Sequence, residues 1–461
     1  MSFNTIPFLF VFFPAALLIF RLVPERAKNI VLVILSLLFY AWDSVSGLLL
    51  LIFSMAFNYF AALEIQSLLD HGNRQTARTA LITSVAADLA LLGFYKYAGF
   101  FAGIFGVQTA ERELPLGISF FTFTVLSYVS DVYYGKAEAE RRPVPYMLYV
   151  SLFPKIISGP VVEYRDIVGQ LEHHPVKASA FRSGVKLFLI GLFKKVLIAD
   201  PLGSSFASLR NSGSLASATA WLGMIFYSLQ LFYDFSGYSD MAIGIAKMFG
   251  FSIDKNFDHP YISDGVTDFW RRWHISLGHW FRDYVYIPMG GNRCSTKRLA
   301  VNLMTVWILT GFWHGAGWNF IFWGIYHGAW VLLDRFAIRK IFDTIPRYVR
   351  IALTDLIACF GWIFFFSPSI GSAFGWIGNM FGSAHAGFWN GATTYYLYSN
   401  LVLLLIAVIF CSPVPGEFID SISVRNRNSV LIASIGYAVL FIFSIAAIVS
   451  NTYTSFLYFR F

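Results

Sequence analysis

Long apolar runs, separated by short polar segments, follow one another along almost the whole chain. The runs cover approximately residues 6–21, 30–42, 46–64, 79–99, 116–134, 183–200, 218–248, 299–314, 318–333, 351–366, 396–412 and 429–449. A helix that crosses a bilayer needs roughly 20 such residues. Several runs are short or broken by glycine and proline. The pattern therefore predicts an all-α polytopic membrane protein with about 11–12 transmembrane helices in a lipid bilayer.

One apolar stretch differs from a simple span. Residues 149–164 are apolar but are split by Pro154, Lys155, Gly159 and Pro160. Non-helical backbone at membrane depth must be buried in protein or line a wet cavity. We therefore expect a re-entrant segment here.

Composition agrees with a membrane protein and excludes other classes. Of the 461 residues, 57% are hydrophobic, 19% are aromatic and 13% are charged, which leaves too few polar residues to cover a soluble protein of this size. No stretch is polar enough for a soluble domain, so residues 1–461 are predicted to form a single membrane domain. The net charge of +8 does not indicate nucleic-acid binding, because the basic residues are scattered in short loops.

The positions of lysine and arginine predict the orientation of the chain. Basic residues are concentrated in the segments 21–29, 65–78, 135–145, 265–298 and 334–350, and none occurs between 351 and 424. Basic loops stay in the cytoplasm. The alternation places the N-terminus outside, and with twelve spans the C-terminus also lies outside.

Residues 267–287 are predicted to form one amphipathic helix on the cytoplasmic membrane surface, which the segment "PMGGNR" (288–293) then breaks. At about 100° per residue, one face is apolar and carries Trp270, Trp273, Leu277, Trp280, Phe281 and Tyr284. The opposite face is polar and carries Arg271, Arg272, His279, Arg282 and Asp283. Such a helix lies in the plane of the interface. His274 falls at the edge of the apolar face, where a plain anchor would favour leucine.

Two more histidines lie at apolar positions, His314 and His327. A lone intramembrane histidine is as often structural as functional, but three in neighbouring segments favour a site. Imidazole suits proton transfer near neutral pH, because its unperturbed pKa is about 6.5. We expect no metal, because the spacing of the three histidines matches no ligand motif.

Five colinear segments resemble the membrane-bound O-acyltransferase family, most closely its bacterial branch that O-acetylates cell-surface polysaccharides such as alginate. They are residues 114–136, 149–167, 232–251, 256–291 ("NFDHPYISDGVTDFWRRWHISLGHWFRDYVYIPMGG") and 309–328 ("LTGFWHGAGWNFIFWGIYHG"). The resemblance implies a ring of helices, with re-entrant and interfacial helices, around a central tunnel. An acyl donor would enter from the cytoplasm, and the acyl group would leave on the far side.

The resemblance also implies roles for the histidines. The catalytic histidine of the family lies in a "WHG" motif, which here contains His314. A second signature position corresponds to His274 in "RRWH", and His327 in "YHG" would have a supporting role. As general base, His314 would take the proton of an accepting hydroxyl while that oxygen attacks the thioester carbonyl.

The donor implied by the resemblance is acetyl-CoA. Polar residues in the run 218–248 cannot face lipid cheaply, and those we assign to donor binding are Asp234, Ser236 and Tyr238. The alternative is that they hydrogen-bond to neighbouring helices. Arg271 and Arg272 either hold the phosphates of coenzyme A or only keep this segment in the cytoplasm.

Residues 450–461 are predicted to form an extracytoplasmic aromatic tail that ends in "FLYFRF". The tail either lies in the outer interface or presents Tyr458 to the site. Similar endings occur in the resembled branch, where the tyrosine is proposed as an acyl relay. The hypothesis is that Tyr458 accepts acetyl with His314 as base.

Three functions stay open. The first is a membrane O-acetyltransferase for an alginate-like exopolysaccharide or for peptidoglycan, and the tyrosine built into this chain favours it. The second is D-alanyl transfer from a carrier protein to teichoic acid. The third is a non-enzymatic proton-coupled transporter, for which there is no inverted-repeat signal. By resemblance, the protein lies in the bacterial cytoplasmic (inner) membrane as a multi-pass protein, and its partner is an extracytoplasmic acetyltransferase of the SGNH type.

Overall fold

The computed structural model describes residues 1–107, 113–211, 215–383, 385–423 and 427–450. Within these ranges the regular structure is helical, with no strand. The chain divides into two compact units. The first comprises Met1–Phe188 and Tyr238–Lys255, and the second comprises Leu189–Gly237 and the described residues from Asn256 onward.

The first unit is built on nine helices. They are α1 (Phe13–Leu22), α2 (Glu25–Ala41), α3 (Val45–Asp70), α4 (Arg74–Lys96), α5 (Ala98–Ile104), α6 (Ile118–Tyr133), α7 (Pro143–Ser151), α8 (Phe153–Ile156) and α9 (Tyr164–Glu172), with a π-helical turn at Phe8–Phe12 before α1. Helix α3 packs against α4 and α6. The buried Asn58 amide links two of these helices, because it donates to Asp88 Oδ1 at 3.0 Å.

The remaining helices belong mainly to the second unit. They are α10 (Ala178–Phe193), α11 (Asp200–Arg210), α12 (Ser217–Met248), α13 (Val266–Arg272), α14 (Ile275–Phe281), α15 (Thr296–His314), α16 (Trp318–Leu333), α17 (Arg339–Phe342), α18 (Arg347–Phe366), α19 (Ile370–Met380), α20 (Gly391–Phe410), α21 (Val414–Ser423) and α22 (Arg427–Ser450). Helices α10 and α12 contribute residues to both units. Shorter helical turns cover Lys194–Ala199, Pro260–Ile262, Arg282–Tyr286 and Asp334–Ile338. Helix α16 packs against α15 and α18.

Short polar side chains cap several helix starts. Ser44 Oγ accepts the N–H of Gly47 at 3.0 Å before α3, and Asn390 Oδ1 accepts the N–H of Thr393 at 3.0 Å before α20. Such caps satisfy backbone donors that have no partner within the helix. The polar residues between the apolar runs therefore set where these helices begin.

Every one of the twelve predicted apolar runs contains a helix, so the all-α prediction is confirmed. Among the described residues, five helices are long and apolar enough to cross a membrane, and they are Val45–Asp70, Arg74–Lys96, Arg347–Phe366, Gly391–Phe410 and Asn428–Ser450. The helices in the other runs are too short, too low in mean hydropathy or too rich in charged residues to be included. The protein is thus a multi-pass membrane protein, and the figure of 11–12 spans stays a prediction.

The predicted break within residues 149–164 is present. Helix α7 ends at Ser151, α8 is a single turn, and the backbone then stays non-helical until α9. Residues 148–160 are all buried in protein, as irregular backbone in a membrane protein must be. Gly117, with φ 71°, lets the chain pass the carbonyl group of Ile156 at a distance that leaves no room for a Cβ atom.

The prediction of one uninterrupted amphipathic helix over residues 267–287 is wrong. The chain forms α13, turns at His274, and then forms α14. His274 adopts the left-handed conformation with φ 48°, which few non-glycine residues adopt. The apolar side chains Trp273, Leu277, Trp280 and Phe281 are buried within the protein. The hydrophobic periodicity did not reveal this break, because the residue that stabilises the turn, Asn256, lies outside the segment and earlier in the chain.

Candidate active site

Helices α15 and α16 approach each other closely through glycine. A Cβ atom at Gly311 of α15 would collide with the backbone of Phe320, and one at Gly324 of α16 would collide with the backbone of Trp307. Small residues at such crossings let two helix backbones come together. The turn between the helices begins at Gly315, whose extended backbone ends α15 on His314.

His314 is 4% exposed and lies among aromatic rings. Its ring centroid is 5.1 Å from that of Trp323 on α16 and 5.1 Å from that of Phe365 on α18, in edge-to-face contact with each. The neighbouring Trp313 ring is 5.0 Å away. Three helices therefore fix the position of this imidazole.

His327 shares one of these walls with His314. Its ring centroid is 5.0 Å from that of Trp323 and 4.7 Å from that of Trp270 on α13. The side chain is fully buried, and neither ring nitrogen has a hydrogen-bond partner among the described residues. Gly361 on α18 lies directly against this imidazole, where a Cβ atom would collide with Nε2.

His274 is 3% exposed and lies in the turn between α13 and α14. Its ring centroid is 4.7 Å from that of Phe235 on α12 and 6.3 Å from that of Trp313. Trp313 thus contacts both His274 and His314. Nδ1 of His274 lies 3.3 Å from Oδ1 of Asn256. Burial lowers the pKa of the His274 imidazole to about 3, so this group is neutral at physiological pH.

Asp234 and Ser236, two of the three α12 residues predicted to bind the donor, flank Phe235 of this cluster in sequence. Asp234 precedes Phe235, and its Oδ1 lies 2.7 Å from Nζ of Lys195. The same Nζ lies 2.6 Å from Oδ1 of Asp200, and all three side chains are buried. Ser236 is also buried, and its hydroxyl has no hydrogen-bond partner among the described residues.

The other predicted site residues are more dispersed. Tyr238 belongs to the first unit, where its ring stacks on Phe3 with centroids 4.8 Å apart. Arg271 is exposed on α13, whereas Arg272 Nε donates to Asp268 Oδ2 at 2.9 Å. Tyr458 lies outside the described residues. The residues that the structure brings together are therefore the three histidines and their aromatic neighbours.

Sequence reasoning missed the residues that surround the histidines. Phe365, Asn256 and Lys195 each contact a predicted site residue but are distant from it in sequence, so no local pattern pointed to them. Trp323 was detectable, because it stands four residues before His327 on the same helix. Trp313 was detectable in principle, because it stands directly before His314. Among the described residues there is no group of three His, Cys, Asp or Glu side chains that could hold a metal ion.

This arrangement is suited to proton transfer. A neutral imidazole can accept a proton from a hydroxyl group. The aromatic walls exclude water and hold the rings in place, which reduces the reorganisation needed during a reaction. The ring of Trp313 contacts both His274 and His314, and the ring of Trp323 contacts both His314 and His327.

Comparison with known proteins gives consistent matches. The sequence profile of the membrane-bound O-acyltransferase family matches residues 36–370. A probable alginate O-acetylase of Azotobacter vinelandii is 40% identical over 83% of this chain and 78% of its own length. A peptidoglycan O-acetyltransferase of Helicobacter pylori is 34% identical over 100% of this chain and 97% of its own. A teichoic acid D-alanyltransferase of Bacillus subtilis is 31% identical over 54% of this chain and 68% of its own.

Proposed function

The chain belongs to the membrane-bound O-acyltransferase family and is an acyltransferase, and from this premise we propose that it moves acetyl from cytoplasmic acetyl-CoA across the membrane. The final acceptor is a hydroxyl group of a cell-surface polysaccharide, of the alginate or peptidoglycan kind. Two relatives that match this chain over most of their length are named as acetylating alginate and peptidoglycan. These names support this acceptor class. The protein acts in the bacterial cytoplasmic membrane, with both termini outside.

His314 is the general base of the proposed reaction. It takes the proton of the accepting hydroxyl as the oxygen forms a bond to the thioester carbonyl carbon. The carbon–sulfur bond then breaks, and the proton passes to the departing thiolate, which leaves as a thiol. His274 acts from beside it as a neutral imidazole. The observation that carries this proposal is that both buried histidines contact the ring of Trp313.

In this proposal, residues of α12 and α13 hold the donor. Arg271 is exposed and can pair with a phosphate of coenzyme A, and Arg272 lies beside it. Asp234, Ser236 and Tyr238 supply polar groups on α12 for the pantetheine arm. Because Asp234 is already paired with Lys195, its contribution is to shape this region rather than to offer a free charge.

The acetyl group leaves through Tyr458 in this proposal. The tyrosine hydroxyl accepts acetyl and presents it outside to a soluble or anchored acetyltransferase of the SGNH type, which completes transfer to the polysaccharide. A covalent intermediate of this kind divides one difficult transfer into two easier ones. Because the tyrosine is part of this chain, the base and the relay would act within one polypeptide.

Replacement of His314 by alanine tests the base. Removal of a general base typically costs about 10²–10⁴ in rate, so we expect release of the coenzyme A thiol from acetyl-CoA to fall by that factor. The matched control is His71→Ala, because His71 is exposed at the end of α3. Wild-type thiol release by His314→Ala, at equal expression, would overturn the assignment.

Transfer of D-alanine from a carrier protein is the second candidate. The match to a teichoic acid D-alanyltransferase supports it, but over only 54% of this chain. Absence of any reaction with acetyl-CoA, in folded protein that accepts D-alanyl carrier protein, would favour this candidate. Family membership favours acyl transfer over the transporter alternative.

A further inference from the structure

We propose that Asn256 is the positioning residue of His274, because it fixes both the backbone turn that carries this imidazole and the direction in which its ring nitrogens point. Asn256 touches neither donor nor acceptor in this account. The inference rests on the proposed function, in which His274 acts as a neutral imidazole.

The backbone and side chain of Asn256 both bind the turn. Its carbonyl oxygen accepts the N–H of Ile275 at 2.9 Å. Its Oδ1 accepts the N–H of Ser276 at 3.1 Å and the hydroxyl of Ser276 at 2.9 Å. Asn256 is 1% exposed, so water does not compete for these bonds. One residue therefore supplies, from its backbone and its side chain, the acceptors at the start of α14.

These hydrogen bonds stabilise an unfavourable backbone conformation. His274 has φ 48° and ψ 55°, which costs free energy for any residue except glycine. Such conformations persist only where the surrounding structure imposes them, and they cluster at functional sites. Asn256 accepts hydrogen bonds from Ile275 and Ser276, the two residues after His274, and these bonds impose the left-handed conformation of His274.

The same oxygen fixes the tautomer of His274. Because Oδ1 accepts the Ser276 N–H, it is the oxygen and not the nitrogen of the amide. His274 Nδ1, 3.3 Å from this oxygen, must therefore donate. The ring then carries its proton on Nδ1 and its lone pair on Nε2, as in other histidines oriented by an acceptor.

Three aromatic rings contact the ring of His274, and they are Phe235, Phe257 and Trp313. The elements around this histidine also carry charged and titratable groups, which include Asp234 with its partner Lys195, Asp240 and Lys247 on α12, Asp258, Asp268 with Arg271 and Arg272 on α13, His279 on α14, and Lys297, Arg298 and His314 on α15. A carboxylate at position 256 would replace the amide oxygen that lies 3.3 Å from Nδ1 of His274, so its charge would act on the imidazole at short range.

The decisive variant is Asn256→Asp. A carboxylate retains the acceptor for Ser276, so the turn is preserved, but its charge favours the imidazolium form and raises the pKa of His274 by about 1–3 units. We expect thiol release from acetyl-CoA to stay within about threefold of wild type at pH 8 and, as the pH is lowered, to decline at a higher pH than it does in wild type.

The matched control is Asn390→Asp. Asn390 Oδ1 also accepts a backbone N–H and a hydroxyl at a helix start, both from Thr393, at 3.0 and 3.1 Å. Its hydrogen bonds in the described part of the chain are with threonines and not with a histidine. We expect its pH profile to match that of wild type, so a shift confined to Asn256→Asp is due to the new charge beside His274.

A profile of Asn256→Asp that superimposes on that of Asn390→Asp would overturn the inference. If the aspartate variant does not fold, the alanine pair decides. Asn256→Ala should lower kcat by about 10–100-fold with little change in KM, as loss of an orienting partner does, and Asn390→Ala should not. Equal kcat in the two would also overturn it. Full activity of His274→Gln would instead show that the proposed role of His274 is wrong.

Discussion

His274, His314 and His327 each occupy a position where the surrounding pattern calls for an apolar side chain. The sequence was sufficient to select all three, because an imidazole in an apolar run is conspicuous. It could not show how they differ. His314 ends a helix, His327 lies within one, and His274 lies in a turn with left-handed backbone. Their neighbours differ as well: His314 contacts Phe365, His327 lies against Gly361, and Nδ1 of His274 faces Asn256, and no local pattern connects these neighbours to the histidines.

Gly361→Ala should disturb His327 and, through Trp323, the site. The new methyl group would collide with the imidazole, and overpacking of this kind costs about 1–3 kcal/mol. We expect a lower unfolding temperature in detergent and reduced thiol release. The control is Gly375→Ala on α19, where a Cβ atom meets nothing within 4 Å and alanine favours the helix. Equal unfolding temperatures for the two variants would contradict this packing.

At the scale of helices, the lengths of the apolar runs and their breaks at proline and glycine predicted most of what is observed. The twelve apolar runs are helices, and the break at Pro154 and Gly159 is present. The failed prediction of one continuous helix over residues 267–287 has a specific cause. The aromatic and basic residues there do repeat at helical spacing, but hydrogen bonds from Asn256 to the turn compete with continuation of the helix.

The ion pair between Lys195 and two carboxylates joins the turn before α11 to α12. Lys195→Met would leave Asp200 and Asp234 buried without their cation, and loss of one partner from a buried pair costs about 3–5 kcal/mol. We expect the free energy of unfolding in detergent to fall by that amount. The Lys195→Met, Asp234→Asn double variant should recover part of the loss, because one stranded charge is removed. No recovery would show that the pair is not coupled.

At the scale of the whole molecule, the orientation deduced from basic residues can be tested at the two ends of α3. Asp43 and His71 are both exposed, before and after this helix. We expect Asp43→Cys to react with a membrane-impermeant maleimide in intact cells, and His71→Cys to react only after permeabilisation. The reverse labelling pattern would show that the chain has the opposite orientation. Tyr458 would then lie on the cytoplasmic side, where it could not serve as a relay to an outside partner.

The central claim is that donor, base and relay act in one chain, and one measurement tests it most directly. Purified protein is incubated with acetyl-CoA labelled in the acetyl group, and the C-terminal peptide is analysed by mass spectrometry beside His314→Ala and Tyr458→Phe. We predict label on Tyr458 in the wild type and none in either variant. Thiol release without labelled tyrosine would contradict the relay, and labelled tyrosine in His314→Ala would contradict the base.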